Sequence, residues 1–218
     1  QKDYDGMIMG FENVLFSWGA GWQDENNQVL GVVNSEKAIE ALEFYKELYQ
    51  FSPPGLDNAF YPEVNSAFIN GQATLVMNYF AFLPDLLNAE KNPYADATGY
   101  FSGPAGPYGD RYVALGGQGM SVLNYVSDER KQASLDFIKW FATDEVQKQW
   151  AEVGGYTCNV GVLESDAFLN NTPYNKAFAE SMTFVKDFWN IPVYNDLLEP
   201  AQRYINGYVV GNIGTAKE

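Results

Sequence analysis

Apolar residues return at three- and four-residue steps along most of this chain, and the polar residues between them mark where each run starts and stops. The clearest run is Ala38, Ala41, Leu42, Tyr45, Leu48 and Tyr49, with Asn34 as an N-cap and Glu36 in the first turn. That pattern predicts an amphipathic helix of about four turns, stopped by Ser52-Pro53-Pro54-Gly55. Ser127, followed by Asp128 and Glu129, predicts a second helix with a stripe of Ala133, Phe137, Trp140 and Phe141. Thr143 caps a third helix, which carries Val146 and Trp150 and ends at Gly154-Gly155.

The remaining pattern is shorter in period. Gly6-Met7-Ile8-Met9 reads as a short buried strand, followed over residues 11–21 by an aromatic-rich helix or turn. The polar tip Asp24-Glu25-Asn26-Asn27 reads as a solvated loop, since its spacing lacks the alternating ligands and central Gly of an EF-hand. Pro62 starts a short helix that ends at Asn70-Gly71, and residues 73–77 follow as an apolar strand. A helix is expected through Leu86, and the Gly- and Pro-rich residues 103–109 form a loop. Residues 113–115 and 120–123 read as strand pieces around Gly116-Gly117-Gln118-Gly119. Two last helices are expected over about 173–185 and 194–210, separated by Asn190-Ile191-Pro192. Strands alternating with dominant helix point to a helix-rich α/β or α+β lobe.

Composition narrows the function classes. With 28 acidic against 13 basic residues the formal charge is −15, so the chain would repel a phosphate backbone. Nucleic acid is therefore not an expected partner. There is no His, which removes the commonest general base and zinc ligand. The single Cys158 cannot form an internal disulfide and reads as a small, partly buried apolar side chain. No nucleophile elbow, P-loop, dinucleotide fingerprint or metal-ligand cluster occurs, so no cofactor or metal is expected. A carboxylate pair of the glycosidase kind is set by a through-space distance that spacing does not reveal. No window approaches the roughly 20 apolar residues of a membrane span. The opening Gln1-Lys2-Asp3-Tyr4-Asp5 has no basic or apolar signal region, and the chain is expected to begin inside a larger protein.

Several segments, taken in order, carry a family likeness: Phe68-Ile69-Asn70-Gly71-Gln72-Ala73-Thr74-Leu75-Val76-Met77-Asn78, then Gly116-Gly117-Gln118-Gly119-Met120, then Ala133-Ser134-Leu135-Asp136-Phe137-Ile138-Lys139-Trp140-Phe141 and Thr143-Asp144-Glu145-Val146-Gln147-Lys148-Gln149-Trp150. With Asn175-Lys176-Ala177-Phe178 and Ile191-Pro192-Val193-Tyr194-Asn195 further on, the chain resembles the later part of family 1 extracellular solute-binding proteins of ABC importers, over about residues 5–217. The resemblance implies a periplasmic binding protein-like type II fold in part, with residues 1–112 in the second lobe, 113–157 belonging with a first lobe missing here, and 158–218 returning to the second. It also implies a protein exported to the periplasm or held outside the membrane by a lipid anchor. Such a protein is expected to capture a small polar ligand, a mono- or oligosaccharide, between two lobes and to deliver it to ABC permease subunits. The same fold also serves as a carbohydrate sensor or adhesion module, and a glycan-active enzyme is the remaining alternative.

A sugar site needs rings for apolar CH faces and polar groups for the hydroxyl rim. The resemblance places Phe11 and Glu12 at the cleft, and it places Asn78, Tyr79 and Phe80 after a strand, where ligands of open sheets bind. Relatives carry Gly-Pro-Trp after this Asn, whereas Tyr79-Phe80-Ala81 stand here, so either ring inherits stacking or packs in the core. Gly116 and Gly117 permit close backbone approach to a ligand and Gln118 can donate and accept, with a tight turn as the plain alternative. Tyr156 and Tyr194 complete the expected ligand contacts. Trp18 and Trp22 flank a glycine-bearing turn and are candidates for the cleft, Trp18 first. Trp140 and Trp150 are expected in the core, and Trp189 carries no assigned role.

Overall fold

The computed structural model describes residues 6–57, 59–187 and 191–217. In chain order it holds α1 (Gly6–Ser17), α2 (Glu36–Tyr49), α3 (Tyr61–Ile69), a 3-10 turn at Phe80–Phe82, α4 (Pro84–Leu87), a second 3-10 turn at Ala95–Ala97, β1 (Val113–Ala114), α5 (Asp128–Phe141), α6 (Asp144–Glu152), α7 (Val160–Leu163), α8 (Asp166–Leu169), α9 (Asn175–Ser181), β2 (Val185–Lys186) and α10 (Tyr194–Val209). Residues up to 115 and from 181 onward form one compact unit, and residues 116–180 form another. Trp189 and Asn190 lie outside the described residues.

The first unit is built around α1. Its apolar residues point to several sides, and Ile8, Phe11, Val14, Leu15 and Phe16 are all buried. A short apolar run is ambiguous between a buried strand and a buried helix. Here residues 6–9 continue into the helix, which corrects the strand expected over them. Helix α2 packs through Ala38 and Ala41, small enough to bring the backbones close, and α10 adds Ile205 and Val209. Gly10 makes room for Tyr45 of α2: a Cβ there would sit 2.8 Å from the Tyr45 hydroxyl oxygen. Burial pushes that hydroxyl's pKa up to about 12.

The polar face of α1 holds the edge of a small sheet. β1 and β2 pair in parallel, Val113 against Val185 and Ala114 against Lys186. On the other edge of β1, the Ala114 N–H donates to Asn13 Oδ1 at 2.8 Å and the Tyr112 N–H to Ser17 Oγ at 3.1 Å. Helix side chains thus satisfy backbone groups that a neighbouring strand would otherwise take. Gly106 lies against the end of α1, where a Cβ would collide with the Ser17 carbonyl oxygen. Residues 73–77, expected as a strand, take no regular structure, and Leu75 and Met77 are exposed. Residues 120–123 are likewise irregular. Among the described residues neither segment has a pairing partner, and an apolar segment without one cannot form a ladder.

Helix α2 is capped by Ser35, whose Oγ accepts from the Ala38 N–H, while Asn34 Oδ1 accepts from the Gly31 N–H. The cap therefore sits one residue later than the sequence pattern places it. The helix expected over 173–185 ends at Ser181 and gives way to β2. In the second unit α5 begins at the cap Ser127 as expected. Thr143 Oγ1 turns back to donate to the Trp140 carbonyl instead of capping α6. The interior of this unit is formed by Ala151, Val162, Leu163, Phe168, Tyr174 and Ala177. A buried Gln147 ties the turn after α6 in place, donating to the Phe141 carbonyl and accepting from Thr157 Oγ1, each at 2.8 Å. Trp140 and Trp150 are 54% and 43% exposed, which corrects the core packing expected of both. Cys158 is exposed rather than partly buried.

Candidate functional site

Sequence points first to the turn after residue 77, and there the structure gathers aromatic rings. Tyr61 opens α3, and its ring stacks on Phe82 with centroids 4.9 Å apart and meets Tyr79 edge-on at 5.3 Å. Phe60 lies against Tyr61 at 4.1 Å. Tyr61, Tyr79, Phe80 and Phe82 are each half-buried, and the Tyr61 hydroxyl donates to the Met9 sulfur of α1. The Tyr79 hydroxyl is buried, and Phe80 carries no polar atom. The result is a shelf of rings at the edge of the first unit, apolar in its faces and partly open to solvent.

Asn78 supports the shelf from below. Its Nδ2 donates to the Tyr61 carbonyl at 3.0 Å and to Asn65 Oδ1 at 2.8 Å, and its Oδ1 accepts from the Tyr79 N–H at 2.9 Å. Both amide hydrogens are thus engaged within the protein. Asn65 is buried and donates in turn to the Phe82 carbonyl at 2.6 Å. Sequence reasoning found Asn78, Tyr79 and Phe80 and missed Tyr61, Asn65 and Phe82. The available signal was local: Pro62 marks a helix start, and an aromatic residue beside it stands at the helix end rather than on its buried stripe.

The other expected contacts in the first unit lie elsewhere. Phe11 and Glu12 sit within α1, not after a strand, and both are buried. The Trp22 indole N–H donates to Glu12 Oε1 at 2.5 Å, and the Phe11 ring packs edge-on to Trp22 at 5.9 Å. The Trp18 ring lies tilted against Phe44 of α2 with centroids 4.5 Å apart, and with Tyr194 it packs half-buried against the same core. Phe11, Trp18, Trp22 and Tyr194 are therefore brought together, as a core cluster rather than as part of the ring shelf.

A wide depression of about 730 Å³ opens where α1 ends and α2 begins, lined by Phe16, Trp22, Gln23, Lys37, Lys186 and neighbours. Lys186 lies over the Tyr112 ring at 3.9 Å, and burial lowers its pKa while Asp110 opposes the shift.

In the second unit Gly116, Gly117 and Gln118 are exposed in irregular chain. Nothing stands within 4 Å of a Cβ built on Gly117, so no intramolecular contact demands a glycine there. Tyr156 is half-buried against Phe178 at 4.7 Å, and its carbonyl accepts from the Trp150 indole at 3.1 Å. Burial, then the neighbouring Tyr174, raises the Tyr156 hydroxyl pKa. Its ring is engaged within the unit. No group of three or more His, Cys, Asp or Glu able to hold a metal ion occurs among the described residues.

Solved structures share this fold. The chain matches the maltose-bound MalE3 of T. maritima with a TM-score of 0.84 at 24% identity, covering 98% of this chain and 55% of that one. It matches an ABC transporter solute-binding protein of Agrobacterium radiobacter in complex with ribitol with a TM-score of 0.76 at 17% identity, over 95% of this chain and 52% of that one. A cyclic alpha-maltosyl-1,6-maltose binding protein from Arthrobacter globiformis gives 0.67 at 17% identity, over 98% and 52%. The chain spans about half the length of these proteins. Its fold is periplasmic binding protein-like, helix-rich and partial.

The family model of bacterial extracellular solute-binding proteins matches residues 10–148, more than half of the chain. The chain belongs to that family, and its resemblance to family 1 solute-binding proteins, read from the ordered motifs, holds.

Proposed function

We propose that this chain forms part of the substrate-binding component of an ABC importer that captures a mono- or oligosaccharide and hands it to a membrane permease. The observation that carries the proposal is the half-buried ring shelf of Tyr61, Tyr79, Phe80 and Phe82, held by paired asparagines. Stacked ring faces suit the CH faces of a sugar, and nearby polar groups suit its hydroxyls. Two of the matched structures are described as maltose-bound and ribitol-bound, and this supports a polyol or sugar ligand. Asn78 acts by fixing the turn, and Tyr79 and Phe80 supply the contact. Gly116, Gly117 and Gln118 offer exposed backbone and an amide for hydroxyl contacts.

The protein acts outside the cytoplasm and binds its ligand without transforming it, as the family of solute-binding proteins does. Residues 113–157 go with the first lobe of a full-length binding protein. The exposed stripe of Phe137 and Trp140 on α5 supports that assignment, because a ring stripe of this size is ordinarily covered.

A thermal-shift screen of sugars, polyols, amino acids and polyamines on the full-length protein tests the ligand class. Only the native state binds, so a ligand raises the melting temperature. A rise with maltose or another saccharide, and no product after prolonged incubation, is the expected result. A response confined to amino acids or polyamines would overturn the carbohydrate assignment, and turnover would overturn the binding-only one.

A further inference from the structure

We infer that Asn65, buried in α3 and remote from the shelf surface, is a positioning residue that sets the geometry of the rings through Asn78. The inference rests on the proposed ring shelf and adds to it the element that holds it in register. The two amides form one chain of hydrogen bonds. Asn65 Nδ2 donates to the Phe82 carbonyl at 2.6 Å, and Asn65 Oδ1 accepts from Asn78 Nδ2 at 2.8 Å. Asn78 Nδ2 also donates to the Tyr61 carbonyl, and Asn78 Oδ1 accepts from the Tyr79 N–H. The turn that carries Tyr79 and Phe80 is therefore pinned at its entry and at its exit, and both pins lead to α3.

Direction matters in this chain. Asn65 must donate on one side and accept on the other, and only an amide, or a protonated carboxyl, does both in that shape. Asn65 is 5% exposed, so losing either bond leaves a buried polar atom without its partner. The turn would then relax and the angle between the Tyr61 and Tyr79 rings, 81°, would no longer be held. Neither amide needs to touch a ligand for this to alter binding, since a ring misplaced by a fraction of an ångström stacks poorly.

The chemistry supplies a test. In Asn65→Asp the carboxylate still accepts from Asn78 but opposes the Phe82 carbonyl with a second acceptor. Once protonated it can donate again, and burial favours the protonated form. Two measurements on the full-length protein decide the matter. The near-ultraviolet circular dichroism of the tyrosines, taken without ligand, should be native-like in acid for Asn65→Asp and should diminish as pH rises through the carboxyl's titration, with far-ultraviolet signal retained. Maltose affinity by calorimetry should follow the same profile, with at least about a tenfold loss at the alkaline end, the size of one lost buried hydrogen bond. In a Phe80→Ala background that pH-dependent loss should shrink.

A near-ultraviolet spectrum and affinity that match wild type at every pH would overturn the inference. If Asn65→Asp does not fold at neutral pH, Asn65→Ala, which leaves space for a water, replaces it: weakened affinity with retained helix content supports positioning, and unchanged affinity overturns it. Failure of the shelf itself looks different, because Tyr79→Ala and Phe80→Ala would then leave every ligand's affinity unchanged while the circular dichroism of Asn65→Asp still titrates.

Discussion

Helices α1 and α5 both carry large aromatic residues, and their surroundings are opposite. In α1, Phe11 and Phe16 are buried together with Ile8, Val14 and Leu15. In α5 no residue is buried, and Phe137 and Trp140 are 53% and 54% exposed. The α5 sequence is the more regular of the two, with a cap, acidic first turn, basic Lys139 in the last turn and a clean stripe. A stripe tells which face of a helix is apolar; it does not tell what covers that face. Each unit therefore has a distinct basis: the first is held by a core threaded by α1, and the second by the smaller interior around Phe168 and by the Gln147 bridge.

The largest expected effect separates the two. Leu15→Ala removes a fully buried side chain and should cost about 2–5 kcal/mol in chemical denaturation. A cost under about 1 kcal/mol would mean that the core around α1 is not closely packed. The next effect is alkaline. Tyr45 keeps its proton to about pH 12 in the folded chain, whereas its ordinary pKa is 10.0. Its contribution is complete below pH 10 and declines between the two values, because the unfolded chain ionises first. The slope from this one group is about 1.4 kcal/mol per pH unit at most, and Tyr156 acts in the same direction within the second unit. Thermal midpoints measured across pH 9–12 should fall, and Tyr45→Phe should flatten part of that fall. A profile identical to wild type in Tyr45→Phe would show that the hydroxyl is solvated. The smallest effect belongs to α5. In this chain by itself, without the remainder of a full-length binding protein, Phe137→Ala should change stability by about 1 kcal/mol or less, since the ring is half-exposed and Ala favours helix. A loss as large as that of Leu15→Ala would show that the stripe is covered.

Much of the helical structure is legible in the sequence. α2, α5 and α6 announce themselves by cap-type residues, acidic first turns and periodicity, all of which act within a few residues. The cap of α2 shifted by one residue because Asn34 and Ser35 are both good caps and Gly31 claimed the asparagine. Strands fared worse. Residues 6–9 and 73–77 have strand-like composition, but a strand exists only with a partner, and partner choice is not a local property. The same boundary runs through the site. Asn78, Tyr79 and Phe80 were visible in a motif, whereas Asn65 and Tyr61 reach them across 13 and 17 residues of sequence through bonds that no spacing rule encodes. Phe11 and Glu12 show the converse: a familiar place in the sequence became the centre of a core once residues 6–17 wound into a helix.

The most direct test of the central claim is a calorimetric titration of maltose, or of the saccharide found by thermal shift, into the full-length protein and its Phe80→Ala variant. Loss of about 1–3 kcal/mol of binding free energy, with the melting temperature of the unliganded protein little changed, is the result expected if the ring shelf grips the ligand. Equal affinity in the two proteins would contradict it.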